Sequence, residues 1–113
     1  MSLQRLYRMI LETSGFQVLG AANNGEEAVN FYINFQEKPD IILMDHRMPI
    51  KNGVETTKEI IKISNHSKII FTSADKTIKN EALSIGAVSF LEKPFSFADL
   101  VAEIKKVLNG SYS

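Results

Sequence analysis

Three chemically useful side chains each follow an apolar run in this sequence. Asp45 follows "IILM", Ser73 ends "KIIFTS", and Lys93 comes directly after "VSFLE". A carboxylate can act as a nucleophile or bind a metal ion, whereas a hydroxyl and an ammonium group can hold the oxygens of an anion. If the fold brings the three together, they form a site for an anionic group with a nucleophile beside it.

The spacing of apolar residues predicts strands and helices in alternation. Strands are predicted at 16–22, 39–45, 68–73 and 88–92. Helices are predicted at 3–13, from Asn24 to about residue 35, from Asn52 to about residue 64, at 75–85 and from Ser96 to Gly110. The runs at 39–45 and 68–73 are almost wholly apolar, which is typical of strands covered on both faces.

This alternation predicts an α/β fold in which a doubly wound parallel sheet has helices on both faces. In such folds, ligands bind beyond the carboxyl ends of the strands. Asp45, Ser73 with its neighbour Thr72, and Lys93 all lie at predicted strand ends. We therefore expect these groups to meet at one rim of the sheet.

Composition limits the class of protein. The 113 residues fit one domain, 1–113, of which residues 1–3 are either native or a remnant of an expression vector. The 13 basic and 13 acidic residues balance, so no bulk charge attracts nucleic acid or an anionic membrane. No apolar run approaches the roughly 20 residues of a membrane helix. The absence of cysteine fits the cytoplasm. We expect no membrane association and no direct contact with nucleic acid.

Three segments together resemble a known family. The run "IILMDHRMP" with its following "NG", the run "FTSA" and the run "FLEKPF" are similar to the motifs of the response-regulator receiver domain. The resemblance spans nearly the whole chain and implies a flavodoxin-like fold. It also implies a signalling module of two-component systems, rather than an enzyme. A histidine kinase or phosphotransfer protein would phosphorylate the strand-end Asp with Mg²⁺ in attendance, and a downstream protein effector would respond.

The resemblance implies a role for each matching residue. Asp45 would be the phospho-acceptor and a metal ligand, and the backbone carbonyl of Arg47 would be another metal ligand. Lys93 would pair with the phosphoryl oxygens, and the hydroxyl of Ser73 would donate a hydrogen bond to one of them. Thr72 is the alternative hydroxyl, although the count from Asp45 favours Ser73.

Neighbouring residues receive supporting roles from the same resemblance. The peptide bond between Lys93 and Pro94 is expected to be cis. Phe90 occupies the position of the family's switch aromatic, although a Phe in isolation is more often a core residue. The side chains of Arg47 and Asp75 would tune the access of water and hence dephosphorylation.

One part of the family pattern has no counterpart in the sequence. Receiver domains begin with a strand that ends in an acidic pair, but counting back from Gly15, which closes the first helix, leaves no residues for it. We therefore expect the first central strand to be missing and magnesium binding to be weak. We also expect the exposed edges to favour a homodimer.

Two other functions fit parts of the pattern. A receiver-like domain that binds proteins without being phosphorylated is consistent with the absence of the acidic pair. A phosphatase-type hydrolase could use Asp45 as its nucleophile, but a second acid would be expected two residues later, where Arg47 stands. Covalent labelling of Asp45 and metal titration would separate the phospho-acceptor from the interaction domain.

Overall fold

The computed structural model describes residues 3–110. The helices are α1 (Leu3–Thr13), α2 (Gly25–Asn34), α3 (Gly53–Ile63), α4 (Lys79–Ser84) and α5 (Phe97–Leu108). The strands are β1 (Ile41–Asp45), β2 (Lys68–Ser73) and β3 (Ser89–Glu92), and a 3₁₀ turn at Lys76–Ile78 precedes α4. None of the described helices is long and apolar enough to cross a membrane.

The three strands form one parallel sheet in the order β1-β2-β3. The register pairs Asp45 with Thr72 and Ser73 with Glu92, so the strands end at nearly the same level. The chain crosses from β1 to β2 through α3, and from β2 to β3 through α4. The carboxyl ends of the strands therefore form one rim.

Helices cover both faces of the sheet, and each face has its own apolar core. On one face, α2, α3 and α4 pack around Phe71 of β2. On the other face, α1 and α5 pack around Ile70. Successive residues of a strand point to opposite faces. Since helices cover both faces, Ile70 and Phe71 are both fully buried. The structure confirms the doubly wound α/β fold with a parallel sheet.

Polar side chains fix where three of the helices begin. Oδ1 of Asn24 accepts a hydrogen bond from the N–H of Glu27 at 2.8 Å, and Oδ1 of Asn52 accepts from the N–H of Glu55 at 2.9 Å. Ser96 caps α5 in the same way. The side-chain oxygens satisfy N–H groups that have no partner within the helix. These caps are the ones that the sequence predicts.

The prediction of a strand at 16–22 is wrong. These residues form no strand, although Val18 is a typical strand former. A strand depends on ladder bonds to a neighbour, and none of the described strands pairs with this segment. The segment instead connects α1 on one face of the sheet to α2 on the other. Strand propensity without a pairing partner does not produce a strand.

The helix predicted at 75–85 is divided into the 3₁₀ turn and α4. Oδ1 of Asp75 accepts hydrogen bonds from the N–H and the hydroxyl of Thr77, at 2.9 Å and 2.6 Å. This local bonding favours a tight first turn over a regular α-helical turn. Gly86, with φ of 123°, follows the end of α4. It occupies a backbone conformation that glycine adopts readily.

One edge of β1 has no neighbouring strand among residues 3–110. On the opposite edge, the carbonyl of Asp40 and the N–H of His46 bond to the backbone of β2. Because alternate residues of a parallel strand bond to the same neighbour, the N–H groups of Ile41, Leu43 and Asp45 face the open edge. This surface is called the open edge below.

Candidate functional site

Asp45 and Lys93 form an ion pair at the carboxyl rim. Nζ of Lys93 lies 2.8 Å from Oδ2 of Asp45. Asp45 is the last residue of β1 and Lys93 directly follows β3, so the pair spans the end of the central strand. The two side chains are 44% and 36% exposed, respectively. The carboxylate is therefore accessible from solvent while a cation holds one of its oxygens.

Ser73 supplies a hydroxyl to the same place. Its side chain is buried, lines the cavity around the ion pair, and accepts a hydrogen bond at Oγ from the N–H of Asp75 at 3.0 Å. The hydroxyl of Thr72 instead donates to the carbonyl of Met44 at 3.5 Å. Of the two candidate hydroxyls, the structure places that of Ser73 at the cavity.

The cavity at the rim has a volume of about 410 Å³. Its walls are Asp45, Arg47, Ser73, Ala74, Asp75 and Lys93. A second cavity of about 440 Å³ shares Ala74 and Lys93 with it and is otherwise lined by Tyr7, Pro94 and Phe95. The structure thus brings together the residues that the sequence singles out. The contribution of Tyr7 from α1 was not predicted, because its spacing indicates only an ordinary core position.

Asp75 is held as a carboxylate in this cavity. Hydrogen bonds from the hydroxyl and the N–H of Thr77 lower the pKa of Asp75 below its ordinary value of 3.8, and the charges of Arg47 and His46 lower it further. Hydrogen bonds to the charged form favour ionisation. Asp75 therefore adds a second negative charge beside Asp45 at neutral pH.

Gly53, the first residue of α3, lies so close to the site that a side chain does not fit. A Cβ atom at this position would lie 2.6 Å from the carbonyl oxygen of Asp45 and 2.8 Å from Cα of His46. The N–H of Gly53 donates to the carbonyl of His46 at 2.9 Å, which closes the loop after β1. The Asn-Gly pair in the sequence signals the turn, but it does not reveal this contact.

One expectation about the neighbours of the pair is confirmed, and the packing of Phe90 can be described. The peptide bond between Lys93 and Pro94 is cis. Phe90 is partly buried, and its ring stacks on that of Phe71 with a centroid distance of 6.3 Å and an interplanar angle of 14°. Phe90 therefore belongs to the core beneath the rim in this structure.

The described residues offer few side-chain ligands for Mg²⁺. No group of three or more His, Cys, Asp or Glu side chains that could hold a metal ion occurs within them. Oδ2 of Asp45 is paired with Lys93, and Oδ1 of Asp75 accepts from Thr77. Asp45 and the carbonyl of Arg47, the predicted ligands, would fill only two of the roughly six positions around Mg²⁺.

Comparison with known proteins gives a consistent result. The model of the response regulator receiver domain family matches residues 1–105. The chemotaxis protein CheY of Thermotoga maritima is 39% identical over 107 residues, which cover 93% of this chain and 88% of that protein. The transcriptional regulatory protein CpxR homolog of Haemophilus influenzae is 39% identical over 112 residues. That match covers 98% of this chain but only 48% of the longer regulator.

Solved structures share the same architecture. A CheY-like receiver domain protein from Methanospirillum hungatei JF-1 superposes with a TM-score of 0.86 and is 25% identical, covering 96% of this chain and 86% of that chain. The CheX-CheY-BeF3-Mg+2 complex from Borrelia burgdorferi contains a chain with a TM-score of 0.85 and 28% identity. That match covers 94% of this chain and 80% of the other.

Proposed function

The chain belongs to the response regulator receiver domain family, and from this premise we propose that it is a phospho-acceptor in two-component signalling. The donor is a histidine kinase or a phosphotransfer protein, and the acceptor is Asp45. The observation that carries the proposal is the 2.8 Å pair of Asp45 and Lys93 beside the hydroxyl of Ser73. The chemistry of the chain is then limited to gaining and losing its own phosphoryl group.

The transfer step requires a nucleophile that is accessible to the donor. A carboxylate oxygen of Asp45 attacks the phosphorus atom of a phosphohistidine on the donor. A P–O bond forms while the P–N bond breaks, and the leaving nitrogen keeps the electron pair and takes up one proton. The products are an acyl phosphate on Asp45 and a neutral imidazole. Such transfers depend mainly on positioning and on stabilisation of the phosphoryl oxygens.

Lys93 and Ser73 provide that stabilisation. The ammonium of Lys93 bonds to the carboxylate of Asp45 before transfer and to the phosphoryl oxygens after it. Oγ of Ser73 accepts from the N–H of Asp75, which leaves the Ser73 proton available to a phosphoryl oxygen. Both groups are in place before the donor arrives, so little reorganisation is needed.

An interaction domain that is not phosphorylated is the second candidate. The small number of metal ligands favours this candidate, because phosphorylation of a receiver domain is expected to need Mg²⁺. The CheY complex from Borrelia burgdorferi is described with Mg²⁺ and BeF3. In this chain we propose weak magnesium binding, and we assign no step of the transfer to the metal. Isothermal titration with Mg²⁺ measures this affinity directly.

Covalent labelling tests the proposed function. The chain is incubated with phosphoramidate and saturating magnesium, and its intact mass is measured. We expect one phosphoryl group on the unaltered chain and on Asp40→Asn, which removes an exposed carboxylate at the opposite end of β1. We expect none on Asp45→Asn. Equal labelling of Asp45→Asn would contradict the proposal, and no labelling of any chain would support the interaction domain.

The partners follow from the same proposal. A histidine kinase or phosphotransfer protein contacts the rim, and a downstream protein effector distinguishes the two phosphorylation states. The matched CpxR homolog is a transcriptional regulator about twice as long as the matched region, but no direct contact of this chain with nucleic acid is proposed. We place the domain, residues 1–113, in the cytoplasm.

The open edge supports a further proposal about assembly. The segment "IILM" of β1 carries no Lys or Pro that would discourage a second strand from pairing there. Its outward N–H groups have no strand partner, and leaving such groups unpaired is unfavourable where water cannot reach them. We propose that two copies of the chain associate through this edge as a homodimer.

A further inference from the structure

The loop between β1 and α3 contains a backbone conformation that its sequence does not favour. Ile50 has a φ of 70°, and it is the non-glycine residue with positive φ in the described part of the chain. The N–H of Lys51 donates to the carbonyl of Pro49 at 2.7 Å, which makes Ile50 the centre of a γ-turn. γ-turns with positive φ are rare and strained, and β-branched residues tolerate this region poorly.

Core packing does not explain the isoleucine. Its side chain is 73% exposed, the highest value among the described large apolar residues that are exposed. The bonds that close the loop come from its neighbours, since the N–H of Gly53 bonds to His46 and Asn52 caps α3. Asparagine or glycine at position 50 would allow the same turn with less strain. Strained residues held in place by rigid surroundings concentrate at functional sites.

The location of Ile50 indicates what its side chain meets. The loop starts directly after Asp45 and leads to α3, so Ile50 lies on the carboxyl side of the sheet, as the acceptor does. A phosphohistidine must come within bonding distance of Asp45, and the protein that carries it must therefore cover this rim. We infer that Ile50 is an apolar docking contact for the phosphohistidine-bearing donor protein. The inference rests on the proposed function.

The rigid turn gives this contact a defined position. A loop whose backbone is already held in one turn loses less conformational freedom when the donor binds, so burial of its side chain contributes more fully to affinity. The donor chemistry that fits is an apolar side chain near the phosphorylated histidine. A small phosphodonor has no such surface and makes no use of Ile50.

The experiment compares two phosphodonors on three chains. Ile50→Asn introduces a residue that tolerates positive φ and removes the apolar contact. Ile63→Asn is the matched control, since Ile63 is 41% exposed at the end of α3 that lies away from the rim. One donor is phosphoramidate. The other is a radiolabelled, autophosphorylated histidine kinase, and among the kinases tried it is the one that transfers fastest to the unaltered chain.

We expect Ile50→Asn to slow transfer from the kinase by roughly tenfold to a hundredfold, the loss of one well-buried apolar contact. Labelling by phosphoramidate should be unchanged, and the melting temperature should rise because strain is relieved. Ile63→Asn should change neither rate. Unchanged kinase transfer to Ile50→Asn overturns the inference but leaves the proposed function intact. Loss of labelling from both donors on the unaltered chain overturns the proposed function itself.

Discussion

The carboxyl rim and the open edge are two parts of the same strand with opposite properties. At the rim, β1 ends in Asp45, which is paired with Lys93 and followed by a loop that a backbone hydrogen bond closes. Along the open edge, the N–H groups of Ile41 and Leu43 have no strand beside them. The rim is polar and built from short contacts, whereas the edge is apolar and lacks a partner.

This difference shows that the sequence specifies the rim more directly than it specifies the edge. The rim depends on which residue ends each strand, and neighbouring strands then bring those ends together. The edge depends on what lies beside a strand, which the strand's own residues do not specify. A chain can therefore have a well-formed set of reactive side chains on a sheet whose pairing is incomplete.

The largest expected effect comes from adding a methyl group at Gly53, which lies against the backbone below the rim. Gly53→Ala would place a Cβ atom 2.6 Å from a backbone oxygen and 2.8 Å from a backbone carbon, which cannot move independently. We expect the free energy of unfolding to fall by about 3 kcal/mol, at the upper end for overpacking. Urea denaturation followed by circular dichroism measures this loss.

Gly20→Ala is the matched control in the segment at 16–22. Its added Cβ would lie 3.6 Å from the ring of Phe35, an ordinary van der Waals distance. We expect a change of less than about 1 kcal/mol. Equal losses for the two variants would show that the rim is no more tightly packed than the region near the edge.

The next effect concerns assembly through the edge. Ile41→Pro removes one outward N–H group at the first residue of β1, where proline is compatible with an edge strand. We expect the unaltered chain to sediment as a dimer and the variant to shift towards monomer at the same concentration. Leu108→Lys, which changes an exposed apolar residue on α5, should leave the dimer intact. A monomeric unaltered chain at high concentration would contradict the homodimer.

A smaller effect on stability is expected at the ion pair. Both partners of the Asp45–Lys93 pair are partly exposed, and exposed pairs contribute at most about 1 kcal/mol. Lys93→Ala should therefore unfold at nearly the same urea concentration as the unaltered chain. It should fail, however, to change its affinity for an effector upon phosphorylation. A large loss of stability would identify Lys93 as a structural residue instead.

The smallest expected effect is a change in the pKa of Asp75. Thr77→Val removes the hydroxyl whose hydrogen bond contributes most to lowering the pKa of Asp75. We expect that pKa to rise towards its ordinary value, as measured by carbon NMR of the carboxyl group. Since the folded-state pKa is lowered, the stabilisation is present above the unfolded-state pKa and is lost as the pH falls through the folded-state pKa. The variant should therefore lose the share of this contribution that the hydroxyl supplies, and an unchanged pKa would contradict the assigned cause.

Most of the fold could be predicted from the sequence, because its signals are local. The limits of β2 match the predicted strand, and Asn24, Asn52 and Ser96 cap helices as expected. Local signals could not show that residues 16–22 form no strand. Its apolar residues meet the local requirement for a strand, but the requirement for a neighbour is not local.

The candidate site follows the same division. Strand ends predict that Asp45, Ser73 and Lys93 converge, and their phase is consistent with Ser73 facing the cavity. The close approach at Gly53 and the γ-turn at Ile50 depend on the path of the loop in three dimensions. No spacing of residue types contains that path, so these two features required the structure.

The alternation of N–H groups along β1 also determines how fast each one exchanges with deuterated water. The N–H groups of Ile42 and Met44 face β2, whereas those of Ile41 and Leu43 face the open edge. Exchange is slow for amides held in a stable ladder and fast for those that are not. In the monomer, adjacent residues of this strand should therefore exchange at different rates. Association through the edge would remove this alternation and leave a uniform protection pattern that NMR can record residue by residue.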